Sequence, residues 1–189
     1  MRRQQTLTLT ISALMVATMC ILSLIAIPLP VSPIPITLQT AAVLLTTLIL
    51  GPRKAFVVIL IYLIIGCLGL PVFAGGKAGL GVIAGPSGGF LLGFMPAALL
   101  GGFIYNIKKT TSLKRAFLAA IIINVIIYAC GITYFAIITD ISLKAAFLTA
   151  GLPFIPGEII KIIFFVPLAI SITKSLQKQM PAYVKKQLP

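Results

Sequence analysis

"AFLAAIIINVIIYACGITYFAIIT", residues 116–139, runs its whole length without a charged side chain. As a helix rising about 1.5 Å per residue, it can cross the roughly 30 Å hydrocarbon core of a bilayer. A helix apolar on every side has no face to offer water, so it belongs in a membrane or a large core. Lys114 and Arg115 stand just before the stretch and Asp140 just after it. The pattern recurs along the chain: 9% of the 189 residues are charged, against about 25% in an average soluble domain. The chain therefore reads as an integral membrane protein.

Hydropathy and helix breakers divide it into six spans, near 7–27, 36–50, 55–70, 89–106, 116–139 and 155–173. The expected fold is all-α, a polytopic bundle of six transmembrane helices forming one integral-membrane domain over residues 1–189, with no linker between parts. "MRRQQTLTLTISALMVATMCILSLIAI" (1–27) begins like a signal peptide, but its apolar core is too long and no small-x-small cleavage site follows. It reads as a retained first span. The prolines of "PLPVSPIP" (28–35) stop that helix and hold an extended connection. Span two is too short to cross the hydrocarbon, so its start is expected below the surface, inside a protein-lined cavity.

The formal charge is +13, yet the basic residues do not form a nucleic-acid-binding face. They fall in clusters that alternate along the chain: Arg2 and Arg3, then Arg53 and Lys54, then Lys108, Lys109, Lys114 and Arg115, and finally Lys174, Lys178, Lys185 and Lys186. The intervening loops hold only Lys77 and the pair Asp140 and Lys144. By the positive-inside rule the clustered side is cytoplasmic, and both termini with it.

Several chemistries are excluded. There is no histidine, which removes histidine-dependent zinc sites and Ser-His or Cys-His triads. Cys20, Cys67 and Cys130 lie inside apolar runs, without metal spacing, and read as packing residues. The glycine-rich segment "LPVFAGGKAGLGVIAGPSGGFLLGF" (70–94) is no phosphate loop: Pro71 and Ala78 occupy the places of an essential Gly and Ser/Thr. Gly79, Gly81 and Gly85 also miss the dinucleotide spacing. Gly89 and Gly93 instead suit close helix–helix contact, and the segment as a whole suits a shaped lid or floor. No catalytic residue, metal site or cofactor is expected.

The chain has two acids, and one of them lies in "PGEIIKIIFF" (156–165), where Glu158 and Lys161 share a helix face in an apolar span. A charge at bilayer depth costs about 2.5–3.5 kcal/mol or more. Two readings account for it. One is an i,i+3 ion pair near the interface with Lys161 snorkelling outward; the other is a ligand site open to the outer side, with one acceptor and one donor.

"PIPITLQT" (33–40), "VFAGG" (72–76), "GPSGGFLLGF" (85–94) and "PGEIIK" (156–161), in that order over essentially the whole chain, resemble the BioY family. Its members are biotin-binding S components of energy-coupling factor transporters, which act with a transmembrane T component and two cytosolic ATPases in the prokaryotic plasma membrane. The resemblance implies a non-enzymatic subunit with biotin as ligand and no cofactor. It implies contacts to biotin from Glu158 and Lys161, and from Asn124, Tyr128, Gln39, Phe73, Gly75, Gly76, Lys77 and Ser87. For Asn124 a helix–helix hydrogen bond is an equal reading. The resemblance also gives Ala13 and Ala17 of "SALMVAT" (12–18) a role as the contact with the T component. Two positions depart from the family pattern: Glu158, where Asp is more common, and Ser87, where some members carry a basic residue. An S component for another vitamin and a purely structural membrane subunit are the alternatives; an enzyme using Glu158 or Asp140 lacks the paired groups it would need.

Overall fold

The computed structural model describes residues 2–106 and 112–179. Lys108, Lys109, Lys185 and Lys186 lie outside the described residues, as do the side chains of Arg2 and Arg3. The chain folds mainly as helices: α1 (Arg2–Leu24), α2 (Gln39–Leu50), α3 (Pro52–Cys67), the short α4 (Leu80–Ile83), α5 (Gly88–Asn106), α6 (Leu113–Thr139), α7 (Leu143–Ala150) and α8 (Ile155–Gln179). Among the described residues, four stretches are long and apolar enough to cross a membrane: Gln5–Leu24, Gly88–Asn106, Leu113–Thr139 and Leu143–Lys178. α2 and α3 are shorter, at 12 and 16 residues.

The all-α expectation needs one amendment. β1 (Ala26–Leu29) and β2 (Ser32–Thr37) form an antiparallel hairpin where only an extended connection is legible in the sequence. The prolines explain both results: they forbid helix, and in an isolated two-stranded ribbon they occupy places that need not donate to a ladder. α7 is a second addition, a short helix N-capped by Ser142, whose hydroxyl accepts from the Ala145 N–H.

α2 is the axis of the bundle. All twelve of its residues are buried, and it touches α1, α3, α5, α6 and α8. Its sequence, QTAAVLLTTLIL, is uncharged and, after Gln39 and Thr40, mainly apolar, so an exposed face would waste burial. Gly51 closes α2 with φ 74° and hands the chain directly to Pro52 at the start of α3. That backbone region suits glycine, and proline suits a first helical turn, so two helices reverse about a single residue.

α5 and α6 form the most extensive helix pair. Gly89, Gly93 and Gly101 line the seam. A Cβ at Gly89 would strike Tyr134 and lie 2.8 Å from the Cys130 carbonyl oxygen; one at Gly93 would lie 2.9 Å from the Cys130 Cβ. Small residues at this four-residue spacing let the backbones close up, where apolar lipid gives no drive of its own. These glycines thus serve packing. Gly89→Val should lower stability by about 1–3 kcal/mol through overpacking, seen as a reduced melting temperature in detergent. Gly81→Ala, whose new Cβ meets nothing within 4 Å, should leave it unchanged.

Candidate functional site

Because α2 starts at Gln39, behind the hairpin, its first turn forms the floor of a cavity rather than reaching the end of the bundle. The space amounts to about 540 Å³ counted out to its open mouth. β2 covers it with Ile34, Pro35 and Thr37. α5 contributes Phe90, Leu91 and Phe94, with Ser87 just before it, and α8 contributes Glu158 and Lys161. Tyr128, Ala150 and Phe154 close the wall, and Ala74 and Val82 come from the glycine-rich segment. Phe90 meets Tyr128 edge to face at 5.5 Å, and Phe154 tilts against Tyr128 at 6.5 Å. Most of the surface is thus apolar and aromatic, with few polar groups, as in sites for small organic ligands.

The polar groups converge on Glu158. Lys161 Nζ donates to Glu158 Oε1 at 2.6 Å. Thr40 Oγ1 accepts from Lys161 Nζ at 3.0 Å and donates to the carboxylate, 2.9 Å from Oε2 and 3.0 Å from Oε1. Tyr128 Oη donates to Oε1 at 3.2 Å. Glu158 and Lys161 are only 7% and 8% exposed, so Lys161 does not snorkel to the bundle surface. Of the two readings open in the sequence, the ion pair and the cavity are both present, in one place. Glu158 also lies in the first turn of α8, where the helix dipole favours a negative charge.

The pairing leaves capacity unused. An ammonium has three N–H groups, and Lys161 spends two on Glu158 and Thr40. Oε1 is crowded by three donors, whereas among the described residues Oε2 accepts only from Thr40. The cavity can therefore offer a ligand one charged acceptor and one charged donor side by side, the stronger class of hydrogen bond.

Gln39, Tyr128, Ser87, Glu158 and Lys161 all line this cavity, together with Thr40, which stands in "PIPITLQT" beside Gln39 but was not singled out in the sequence. Nothing local marks Thr40: threonine is common in membrane helices, and its role depends on α8 packing across it. Asn124 lies one turn from Tyr128 on α6, outside the lining. Its Nδ2 donates to the Ala120 carbonyl in its own helix, not to a neighbouring one, and its buried Oδ1 has no partner among the described residues. Phe73 is fully buried behind the glycine-rich segment, its ring packed on Gly66 and edge-on to Tyr62. Gly75 and Gly76 make the turn that follows, with φ 66° and 80°, and Lys77 is exposed beyond them. Among these four, the structure brings none to the cavity lining; Ala74 is there in their place. Ala13 and Ala17 are exposed along one side of α1, outside the cavity lining.

A model of the BioY family matches residues 1–178. The chain is 34% identical over 177 residues to a protein of Lactococcus lactis described as biotin transporter BioY2, covering 93% of this chain and 95% of that one. It is 38% identical over 156 residues to a probable biotin transporter BioY of Bacillus subtilis, covering 82% and 83%. A crystal structure of the S-component for biotin from an ECF-type ABC transporter superposes with a TM-score of 0.86 at 28% identity, covering 92% of this chain and 94% of that one.

A buried pair should be costly to break and cheap to remove whole. Glu158→Ala, which strands the Lys161 ammonium, should destabilise by about 3–5 kcal/mol, whereas the neutral double replacement Glu158→Gln with Lys161→Met should recover most of that. Thermal unfolding of the purified variants in detergent measures both.

Proposed function

The chain belongs to the BioY family, and we propose that it is the biotin-capturing S component of an energy-coupling factor transporter. The observation that carries this reading is the Glu158–Lys161–Thr40 cluster at the floor of an aromatic-walled cavity. Biotin's ureido ring has two N–H donors beside one carbonyl acceptor, the complement of a carboxylate beside an ammonium. Its thioether ring is apolar and suits the Phe90, Tyr128 and Phe154 wall. Desolvation by that wall strengthens the polar contacts relative to water. Ser87, also in the lining, offers the valerate carboxylate a hydroxyl donor.

In this reading α1, α2, α3, α5, α6 and α8 are six spans, with both termini cytoplasmic. Support comes from the two ends of the bundle. α8 carries Glu158 in its first turn and Lys178 in its last, and α2 begins at the cavity and is followed by Arg53 and Lys54. The cavity end is therefore poor in cations and the opposite end rich in them, so the cavity opens outward. The protein works in the cell membrane without enzymatic activity of its own, and the energy for uptake comes from ATPases reached through a T component. Ala13 and Ala17, exposed on α1, leave a shallow groove where a partner helix can approach.

Radiolabelled biotin binding to the purified protein tests the reading. The wild type should bind, and biotin at one hundred times its dissociation constant should add about 2.7 kcal/mol of stability, whereas riboflavin and thiamin should add none. The Glu158→Gln, Lys161→Met double variant should fold but lose at least about 1.5–3 kcal/mol of binding, the worth of a hydrogen bond to a charged group. Normal binding by that variant would move the site elsewhere; stabilisation by a different vitamin would reassign the ligand.

Coupling is tested separately. Ala13→Leu with Ala17→Leu should keep biotin affinity within about threefold, under roughly 0.7 kcal/mol, while failing to co-purify with the energy-coupling module. Loss of biotin binding in that variant would instead make both alanines packing positions.

A further inference from the structure

Beyond the cluster around Glu158, a second polar chain reaches the cavity from behind. Tyr62 on α3 is fully buried and does not line the cavity. Its Oη lies 2.9 Å from the Val72 carbonyl oxygen and 2.7 Å from Gln39 Nε2. The hydroxyl of Ser23, near the end of α1 and also fully buried, lies within hydrogen-bond reach of the same Val72 carbonyl and of the Cys20 carbonyl in its own helix. The Tyr62 ring is held in turn by the edge-on contact with Phe73, 5.7 Å between centroids.

The directions of these bonds follow from what each group can do. A carbonyl oxygen only accepts, and a phenol has one hydrogen. Tyr62 must therefore spend its hydrogen on Val72, which leaves its oxygen able only to accept from Gln39. That fixes the Gln39 amide with its NH₂ turned toward Tyr62. The reversed amide would set the carbonyl oxygen of Gln39 against the Tyr62 oxygen, with no hydrogen between them. On its other side, Gln39 Oε1 accepts from Thr37 Oγ1 at 3.3 Å. An amide oxygen accepts twice, so one site remains, at a residue that lines the cavity together with Thr37.

We infer that Tyr62 is a positioning residue: it locks the Gln39 amide so that its carbonyl oxygen serves the ligand as a second acceptor beside Glu158. The inference rests on the cyclic-urea reading above and deepens it. Two acceptors, Glu158 Oε2 and Gln39 Oε1, with one donor, Lys161 Nζ, match a ring that carries two N–H groups and one carbonyl. The site then selects for ureas with both N–H groups intact and against rings in which either has been lost. Phe73 and Ser23 act on the ligand only through this chain.

The experiment compares biotin with two isosteric cyclic carbamates, in each of which one ureido N–H is replaced by oxygen. In the wild type both carbamates should bind more weakly than biotin. Tyr62→Phe keeps the ring and frees the amide to turn, so biotin should bind about tenfold more weakly, the effect of one neutral hydrogen bond. One of the two carbamates, the one lacking the N–H that faces Gln39, should bind the Tyr62→Phe protein at least as well as the wild type, because the freed amide can turn its NH₂ to the ring oxygen. Gln39→Met should reproduce the same selective loss and add nothing to Tyr62→Phe in the double variant. A merely structural tyrosine would weaken all three ligands alike, and that result, or unchanged biotin affinity in Tyr62→Phe, overturns the inference. If Tyr62→Phe does not fold, Gln39→Met decides: equal losses for biotin and both carbamates overturn it. Failure of the wild type to bind biotin at all would sink the biotin reading instead, before any variant is compared.

Discussion

Moving a carboxylate and an ammonium out of water is expensive, and their mutual attraction repays it only when the remaining hydrogen-bonding capacity is used. Thr40 meets part of that condition by standing between Glu158 and Lys161, donating to one and accepting from the other, and leaves one N–H and part of Oε2 over for a ligand. Much of the architecture follows from keeping Thr40 there. It requires α2 to begin low in the bundle, which its short, uncharged sequence allows. It requires α8 to pack on α2 along its first turns, and the hairpin to cover the result. The cavity is the space left when the neighbours of a short helix are longer than it is.

The same arrangement separates the chemistry of the site from the mechanics of the bundle. The α5–α6 seam is built from glycines and carries no ligand group except through the aromatic rings above it, Phe90 and Tyr128. The polar work is done by the first turns of α2 and α8 and by one tyrosine on α6. Tyr62 and Ser23 stand a layer behind, in contact with the backbone at Val72. A ligand that engages Gln39 thus meets a chain of bonds ending on α1, the helix whose exposed alanines are proposed to face a partner.

Some parts of the site were legible residue by residue. A glutamate three positions before a lysine in an apolar run is costly anywhere, so it had to signify pairing or binding; the structure shows the pairing and sets it in a cavity. Gln39 at the head of the short helix was reached through the family resemblance, not through its own cost of burial. Tyr128 was reachable as a neighbour of Asn124 on one helix face, although Asn124 itself bonds to its own helix. The glycine-rich segment was only half legible: its glycines mark turns, but which side chain between them meets the cavity depends on Phe73 turning inward against Gly66.

The sequence by itself determined the membrane character, the order and approximate limits of the long helices, the asymmetry of basic charge and the identity of the charged pair. Each of these depends on transfer free energies summed over neighbouring residues, and so is written locally. Tertiary structure decided that α2 is buried on every side, that the proline segment forms a hairpin, and that Thr40 and Tyr62 matter at all. Thr40 meets Glu158 across 118 positions, and Tyr62 meets Gln39 across 23. A hydroxyl in a membrane helix is usually satisfied by its own backbone one turn away, as Thr47 is by Val43. Whether it instead bridges two buried charges depends on which helix packs against it, and no local pattern of residues records that choice.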